Sequence, residues 1–333
     1  MSPRFERGLV IGKFAPLHKG HELLIETALS ACETVSVWCY SEPDFHDMPT
    51  SVRQDWIRAL FPSVTVLPNA PSPPPNDAPD ETHRAYVGSV LDTWNVRPDV
   101  VFTSEAYGES LAVTLGCEHR MVDGTRKRVP ISGTRVRADV HAHRSFLSPL
   151  VYAHFVQKVV LLGAESTGKS TLTALLAREF ATLGVAEYGR EVFERENGVL
   201  RPEHFVEIAR GHRALEDAAL LSPNVHRFLF VDTNALATAM WSFWLTRTCE
   251  PDVLRLADEC RSRYAHVFVC ADDIAFEQDG WRSNTSVRSV QQATVLYDLA
   301  ARGIPYTVLH GSLKQRLARV HFELVGKSLY RGV

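Results

Sequence analysis

Two glycine-bearing segments, about 150 residues apart, carry residue types and spacings suited to phosphate chemistry. The first reads Gly12-Lys13-Phe14-Ala15-Pro16-Leu17-His18-Lys19-Gly20-His21. The second, Gly163-Ala164-Glu165-Ser166-Thr167-Gly168-Lys169-Ser170-Thr171, fits the P-loop pattern Gly-x-x-x-x-Gly-Lys-Ser/Thr at every fixed position. In the first, His18 and His21 fall at the start of a helix, where free N–H groups and the helix dipole favour anions. Three residues apart, they share one helical face and can aim at one triphosphate. Gly20 allows close backbone approach by a nucleotide. The competing reading is a helix start with two partly exposed histidines. In the second, loop N–H groups between Gly163 and Gly168 wrap phosphates. Lys169 reaches the β- and γ-phosphates, and Ser170 binds Mg²⁺ that arrives with ATP.

Further residues extend both sites. Ile131-Ser132-Gly133-Thr134-Arg135-Val136-Arg137 follows a turn-rich stretch; Ser132 can cap a helix whose first turns hold Arg135 and Arg137. That makes either a second anion cradle or a capped surface helix with solvated arginines. The apolar run ending in Asp232 is Walker-B-like, and Glu187 ends the second strand of the same half. Either acid can take a substrate hydroxyl proton or, for Asp232, meet Mg²⁺; either could instead be a helix N-cap. Asp279-Gly280-Trp281-Arg282, with Arg288 downstream, suits a lid over ATP, or a solvated surface loop. Tyr188 and Trp281 are candidates for stacking on a flat base. Trp241 and Trp244, flanking Phe243 in an apolar helix, are assigned to the core.

The elements needed to hold these residues are legible around them. Leu9-Val10-Ile11 is a buried strand running into Gly12, followed by a helix from His21 to Ala31 and a strand from Thr34 to Tyr40. A strand–helix–strand unit implies a parallel sheet. Thr50 to Leu60 and Asp80 to Trp94 read as helices; Val64 to Leu67 and Val100 to Glu105 read as strands. Pro68 to Pro79 is a loop that could flank a site or simply cover the surface. Lys158 to Leu162 is a strand, and a helix runs from Lys169 to Ala181. The expected class is α/β in two domains, both with parallel sheets flanked by helices. Residues 1–150 form a Rossmann-like fold and 157–333 a P-loop kinase fold, with 145–157 a helical connector.

At 333 residues the chain can bury two cores, and 45% hydrophobic with 23% charged residues is a globular composition. A net charge of −3 gives no basic excess that asks for nucleic acid. No apolar run approaches a membrane span of ~18 residues. The N-terminus runs straight into a strand, so no signal peptide is expected. Six scattered cysteines without a Cys-x-x-Cys pair fit a reducing compartment. The expectation is a cytoplasmic enzyme with no nucleic-acid or membrane partner; homo-oligomer formation is left open.

The pairing of His-x-Gly-His with Ile-Ser-x-Thr-x-x-Arg, over residues 8 to 140, resembles the nucleotidylyltransferase superfamily. The resemblance implies that His18 and His21 are the catalytic pair and that Arg137 binds departing pyrophosphate. Gly12, Lys13, Phe14, Gly20 and Ser132 would be nucleotide contacts. Taken whole, GKFAPLHKGH, FTSE, ISGTRVR, GAESTGKST, EYGRE, FVDTN and DGWR, from Gly8 to about Leu324, resemble the NadR-type enzymes of NAD salvage. That implies a kinase half that makes nicotinamide mononucleotide from ribosylnicotinamide and MgATP. The N-terminal half would then join the mononucleotide to a second ATP, giving NAD and pyrophosphate. Gly163, Glu165, Ser166, Thr167, Gly168, Ser170, Thr171, Arg282 and Arg288 would bind nucleotide. Tyr188, Arg190, Asn234 and Trp281 would bind the kinase substrate. Some members carry an N-terminal helix-turn-helix domain; with a strand starting near residue 8, none is expected and neither is DNA binding. Some relatives are expected to carry an acid at Asn234; if that acid contacts ribose or metal, the asparagine would weaken the kinase here. The rival readings are another nucleotidylyltransferase–kinase fusion, of coenzyme A or flavin type, and a non-catalytic nucleotide sensor.

Overall fold

The computed structural model describes residues 5–274 and 285–326 and divides into two units, residues 1–154 and 155–333. In the first unit the order is β1 (Phe5–Gly12), α1 (Lys19–Ala31), β2 (Cys32–Cys39), α2 (Thr50–Leu60), β3 (Thr65–Val66) and α3 (Asp80–Thr93). There follow β4 (Val100–Thr103), α4 (Tyr107–Leu115), β5 (Glu118–Met121), α5 (Gly133–Ala138), a 3₁₀ turn (Arg144–Phe146) and α6 (Pro149–Ala153). Five strands pair in the order β3-β2-β1-β4-β5, all parallel. β1 is central, so Leu9, Val10 and Ile11 are buried on both faces and form a continuous apolar run rather than an alternation. Leu9 and Ile11 pack with Trp38, Val87, Leu91, Val101 and Leu111. Leu24, Ile25 and Ala28 are the buried face of α1, which lies against β1.

The second unit runs β6 (Gln157–Leu162), α7 (Lys169–Glu179), β7 (Gly184–Val185), α8 (Tyr188–Arg195), α9 (Pro202–Leu220), β8 (Phe228–Asp232) and α10 (Ala235–Thr246). It continues with α11 (Pro251–Arg263), β9 (His266–Cys270), α12 (Thr285–Ala301), β10 (Thr307–Leu309) and α13 (Leu313–Val325). Its parallel sheet has the order β10-β9-β6-β8-β7. Val159, Leu161, Phe228, Phe230 and Phe268 form one core with Leu172 and Leu176 of α7 and Val320 and Leu324 of α13.

In both sheets the first strand is central and later strands add on both sides of it. The strand order therefore reverses beside β1 and beside β6. Ligand crevices of open α/β sheets form there, outside the carboxyl ends of the strands. The loops after β1 and β6 are the two glycine-bearing segments. Among the described residues, no helix is long and apolar enough to cross a membrane.

Candidate functional site

In the first unit, His18 is the N-cap of α1. Its Nδ1 accepts the Gly20 N–H at 3.1 Å, and His21 Nδ1 accepts the His18 N–H at 3.4 Å. This is a capping box made from two imidazoles. The rings stack with centroids 3.8 Å apart and planes 18° apart. Because both Nδ1 atoms accept, the hydrogen-bond pattern assigns the proton of each neutral ring to Nε2. Burial, reinforced by the nearby positive charge of Arg126 and Arg137, pushes His18 down to about 4 and His21 well below the ordinary histidine value. Both rings are thus neutral, although a backbone hydrogen bond at Pro16 opposes the fall for His21.

Two residues of this loop have neighbours within the protein. A Cβ on Gly20 would lie 3.0 Å from His18 Cε1, so the glycine makes room for the imidazole. The Phe14 side chain is fully buried, with its ring edge-on to His21 at 5.0 Å. Phe14 supports the histidines from within the core. A Cβ on Gly12 would meet the Phe14 ring at 3.1 Å. Lys13 Nζ donates to Asn76 Oδ1 at 2.8 Å, so the Pro68–Pro79 loop does reach this site. Burial, then the Arg137 charge, lowers the Lys13 pKa.

The late motif lies against the early one. Ser132 caps α5 by accepting the Arg135 N–H at 3.3 Å. Arg137 donates to the Ala15 carbonyl and to Thr134 Oγ1, and lies over the Phe45 ring at 4.9 Å. A Cβ on Gly133 would stand 3.1 Å from Arg137 Nη1, 3.3 Å from Ala15 O and 4.0 Å from His18 Nε2. Sequence reasoning missed Arg53. It is fully buried on α2 and donates to the carbonyls of Lys13, Tyr40 and Met48 and to Thr50 Oγ1. It fixes the loop backbone from below. A cation at a core-facing position of an amphipathic helix was the available signal.

In the second unit a cavity of about 1100 Å³ opens beyond β6 and β8. Gly163, Glu165, Ser166, Thr167, Gly168, Lys169, Ser170 and Thr171 line one end. The loop has its backbone in the left-handed region at Gly163, Ser166 and Gly168 (φ 133°, 53° and 79°). A Cβ on Gly163 would come within 2.5 Å of the Cys270 carbonyl. Lys169 Nζ rests on the Ala164 carbonyl at 2.8 Å. Glu187, Arg190 and Asp232 line the same cavity. Glu187 occupies the N-cap position of α8 but makes no side-chain cap; desolvation raises its pKa against the opposing pull of Lys169. Asp232 pairs with Leu161 in the sheet register beside the P-loop strand, and its buried Oδ1 has no hydrogen-bond partner among the described residues.

Two residues expected at the substrate and one assigned to the core lie elsewhere in the structure. The Tyr188 ring packs on α9, where a Cβ on Gly211 would meet it at 2.3 Å, and Tyr188 does not line the cavity. Asn234 is the N-cap of α10, accepting the Leu236 N–H at 3.0 Å, and is likewise off the cavity wall. Trp241, assigned to the core, lines the cavity instead, and Phe243 beside it is exposed. Arg288 is also revised. Rather than reaching over the cavity, it is buried and donates to the carbonyls of Ile274 and Ser166. Trp281 and Arg282 lie outside the described residues.

Side chains distant in sequence brace the P-loop. Gln292 Oε1 accepts the Ala164 N–H at 2.9 Å, and Gln291 Oε1 accepts the Glu165 N–H at 3.1 Å. Arg316 is 2% exposed and donates to the carbonyls of Thr167, Ala271 and Gly311 and to Asp273. None carries a local sequence signal. Among the described residues no group of three or more His, Cys, Asp or Glu could hold a metal ion by itself. The orphaned Asp232 Oδ1 and the exposed Ser170, on one cavity, do fit an ion shared with nucleotide phosphates.

The chain is 30% identical over 300 residues to the trifunctional NAD biosynthesis/regulator protein NadR of Escherichia coli (strain K12); the match covers 83% of this chain and 71% of that one. The protein of the same name from Salmonella typhimurium (strain LT2) is 29% identical over 296 residues, with the same coverage. A family profile described as an AAA domain matches residues 158–316. Among solved structures, the crystal structure of NadR protein in complex with NAD and AMP-PNP superposes with a TM-score of 0.70 at 20% identity over all of both chains. The crystal structure of NadR protein in complex with NR gives 0.68 at 21% identity over 96% of each. At those identities the superpositions establish a shared fold.

Proposed function

The chain belongs to the NadR family, and from that premise we propose that it is a bifunctional enzyme of NAD salvage. The second unit phosphorylates ribosylnicotinamide with MgATP, and the first unit adenylylates the resulting mononucleotide, giving NAD and pyrophosphate. One observation carries this reading: the alignment to the NadR relatives is longer than either unit, and each unit keeps a glycine-bearing loop at its crevice. A role in NAD biosynthesis is the coarser statement, supported by the names of those relatives.

In the first unit, a phosphate oxygen of the mononucleotide attacks the α-phosphorus of ATP. The new P–O bond forms as the bond to the β-phosphate bridge breaks, and pyrophosphate leaves. The nucleophile is already an anion, so no general base is needed. Catalysis is positioning and charge stabilisation. His18 and His21 donate through Nε2–H to phosphate oxygens, and being neutral they can sit buried without the desolvation penalty of imidazolium. Arg137 and Lys13 meet the charge that gathers on pyrophosphate.

In the second unit, the 5′-hydroxyl attacks the γ-phosphorus and ADP leaves. P-loop N–H groups and Lys169 hold the β- and γ-phosphates. Glu187 takes the hydroxyl proton, a role suited to a carboxylate whose proton affinity burial has raised. Ser170 and Asp232 would hold Mg²⁺, which neutralises phosphate charge when bound with ATP. Arg190 lies where it can meet substrate.

The test is product chromatography after mixing protein with MgATP and nicotinamide mononucleotide, and separately with ribosylnicotinamide. NAD in the first mixture and mononucleotide or NAD in the second are expected. NAD in the first alone would remove the kinase from the reading, and neither product would remove both activities.

A further inference from the structure

One buried titratable side chain on the wall of the second cavity has both ring nitrogens unbonded among the described residues. His212, on α9, is 3% exposed and lines the cavity wall. Among the described residues, neither its Nδ1 nor its Nε2 has a hydrogen-bond partner. A buried imidazole left so is unfavourable unless something else supplies the partners. The nearest candidate within the chain is already engaged. Glu216, one turn further along α9, accepts the Tyr264 hydroxyl through Oε1 at 2.6 Å and Arg263 Nε through Oε2 at 2.9 Å. Its closest approach to His212 Nδ1 is 4.0 Å.

The ring is neutral, because burial lowers its pKa more than Glu216 and Asp232 raise it. A neutral imidazole offers one donor and one acceptor, the complement of an alcohol group. Its neighbours say where along a bound molecule that group lies. Ile208 and Phe205 precede it on the same face of α9 and, with Phe193 and Trp241, form an apolar wall suited to a flat base. Asp232, whose charge His212 feels, and Lys169 mark the phosphate-transfer end. Between a base and a reacting 5′-oxygen stands a sugar. We infer that His212 hydrogen-bonds a ring hydroxyl of the acceptor's ribose, and so makes this site select ribonucleosides over deoxyribonucleosides. The inference rests on the kinase reading of this cavity.

The test is steady-state phosphorylation by the full chain with MgATP, using ribosylnicotinamide and its 2′-deoxy and 3′-deoxy analogues. Wild type should show a KM for one analogue roughly tenfold or more above that for the ribonucleoside, the cost of one lost hydrogen bond. His212→Leu should raise the KM for ribosylnicotinamide by about tenfold and bring the analogue ratio to about one. The KM for ATP and pyrophosphate release by the first unit should not change. His212→Asn, which keeps a donor and an acceptor, should retain part of the ratio. Equal KM values for all three substrates in wild type would overturn the inference, as would a wild-type ratio in His212→Leu. If His212→Leu does not fold, the wild-type ratio and His212→Asn decide. Phosphorylation of another ribonucleoside but not ribosylnicotinamide would remove the NAD reading alone; the ratio would then be measured with that nucleoside and its deoxy forms. No phosphorylation of any nucleoside would remove both.

Discussion

The two glycine-bearing loops are built from different parts. The loop after β1 presents side chains: two stacked imidazoles that cap their own helix. The loop after β6 presents backbone, held in left-handed conformations at Gly163, Ser166 and Gly168, with Lys169 as the one cation of its motif. Their supports differ accordingly. The histidine pair is set by bonds between residues two and three apart, with Arg53 bracing the backbone beneath. The P-loop depends on Gln291, Gln292, Arg288 and Arg316, more than 120 residues further along the chain. A side-chain site can be built locally. A backbone site needs its carbonyls and spare N–H groups tied from outside, because a strained loop does not hold itself.

The sharpest way to break this comparison is to remove one site at a time. Lys169→Ala should lower ADP formation from ribosylnicotinamide by roughly 10³-fold and leave pyrophosphate release with mononucleotide intact. His21→Ala should do the reverse, with pyrophosphate release falling by roughly 10²–10³-fold. Loss of both activities in either folded variant would mean that the sites are not independent. Arg316→Met tests the supports. It takes the Arg316 donor from three carbonyls and from Asp273, which keeps the Gly311 N–H, so urea unfolding of the second unit should show a loss of roughly 3–5 kcal/mol. An unaffected midpoint would show that the P-loop stands without it.

The smallest effect is on stability against pH. His18 binds a proton less readily folded than unfolded, so the unfolded chain holds more protons below the ordinary histidine range. Stability is therefore unaffected by this group above pH 6.5 and falls as pH drops toward about 4, where the folded value lies. The loss is about 3 kcal/mol. His21 acts in the same direction. His18→Gln/His21→Gln should flatten this part of the stability curve of the first unit, read by urea unfolding at stepped pH. An unchanged slope would place the acid sensitivity elsewhere.

Much of the fold was legible because its signals are local. The runs Leu9–Ile11 and Lys158–Leu162 read as strands since a central parallel strand is apolar throughout. The short strand Glu118–Met121 carried no such signal: it is polar and lies at a sheet edge. Of the candidate sites, Ser132, the histidine pair and the P-loop sit where their caps and glycines implied. The places of the aromatic residues were not legible because Tyr188 and Trp241 both lie on helices. Which of them faces a cavity depends on how α8 and α10 are rolled against α9, and no period within either helix records that.

The sequence by itself determined the two strand–loop–helix units and which loop residues can meet a phosphate. Helix starts, glycine torsions and strand burial are set by interactions a few residues long. Only the tertiary structure decided the rest. It assigned the space beside Gly20 to an imidazole and Arg288 to the back of the P-loop. It placed His212 and Trp241 on the wall of a cavity with Asp232. Those outcomes depend on residues tens to more than a hundred positions apart being brought together by the crossovers of a parallel sheet, which no local pattern encodes.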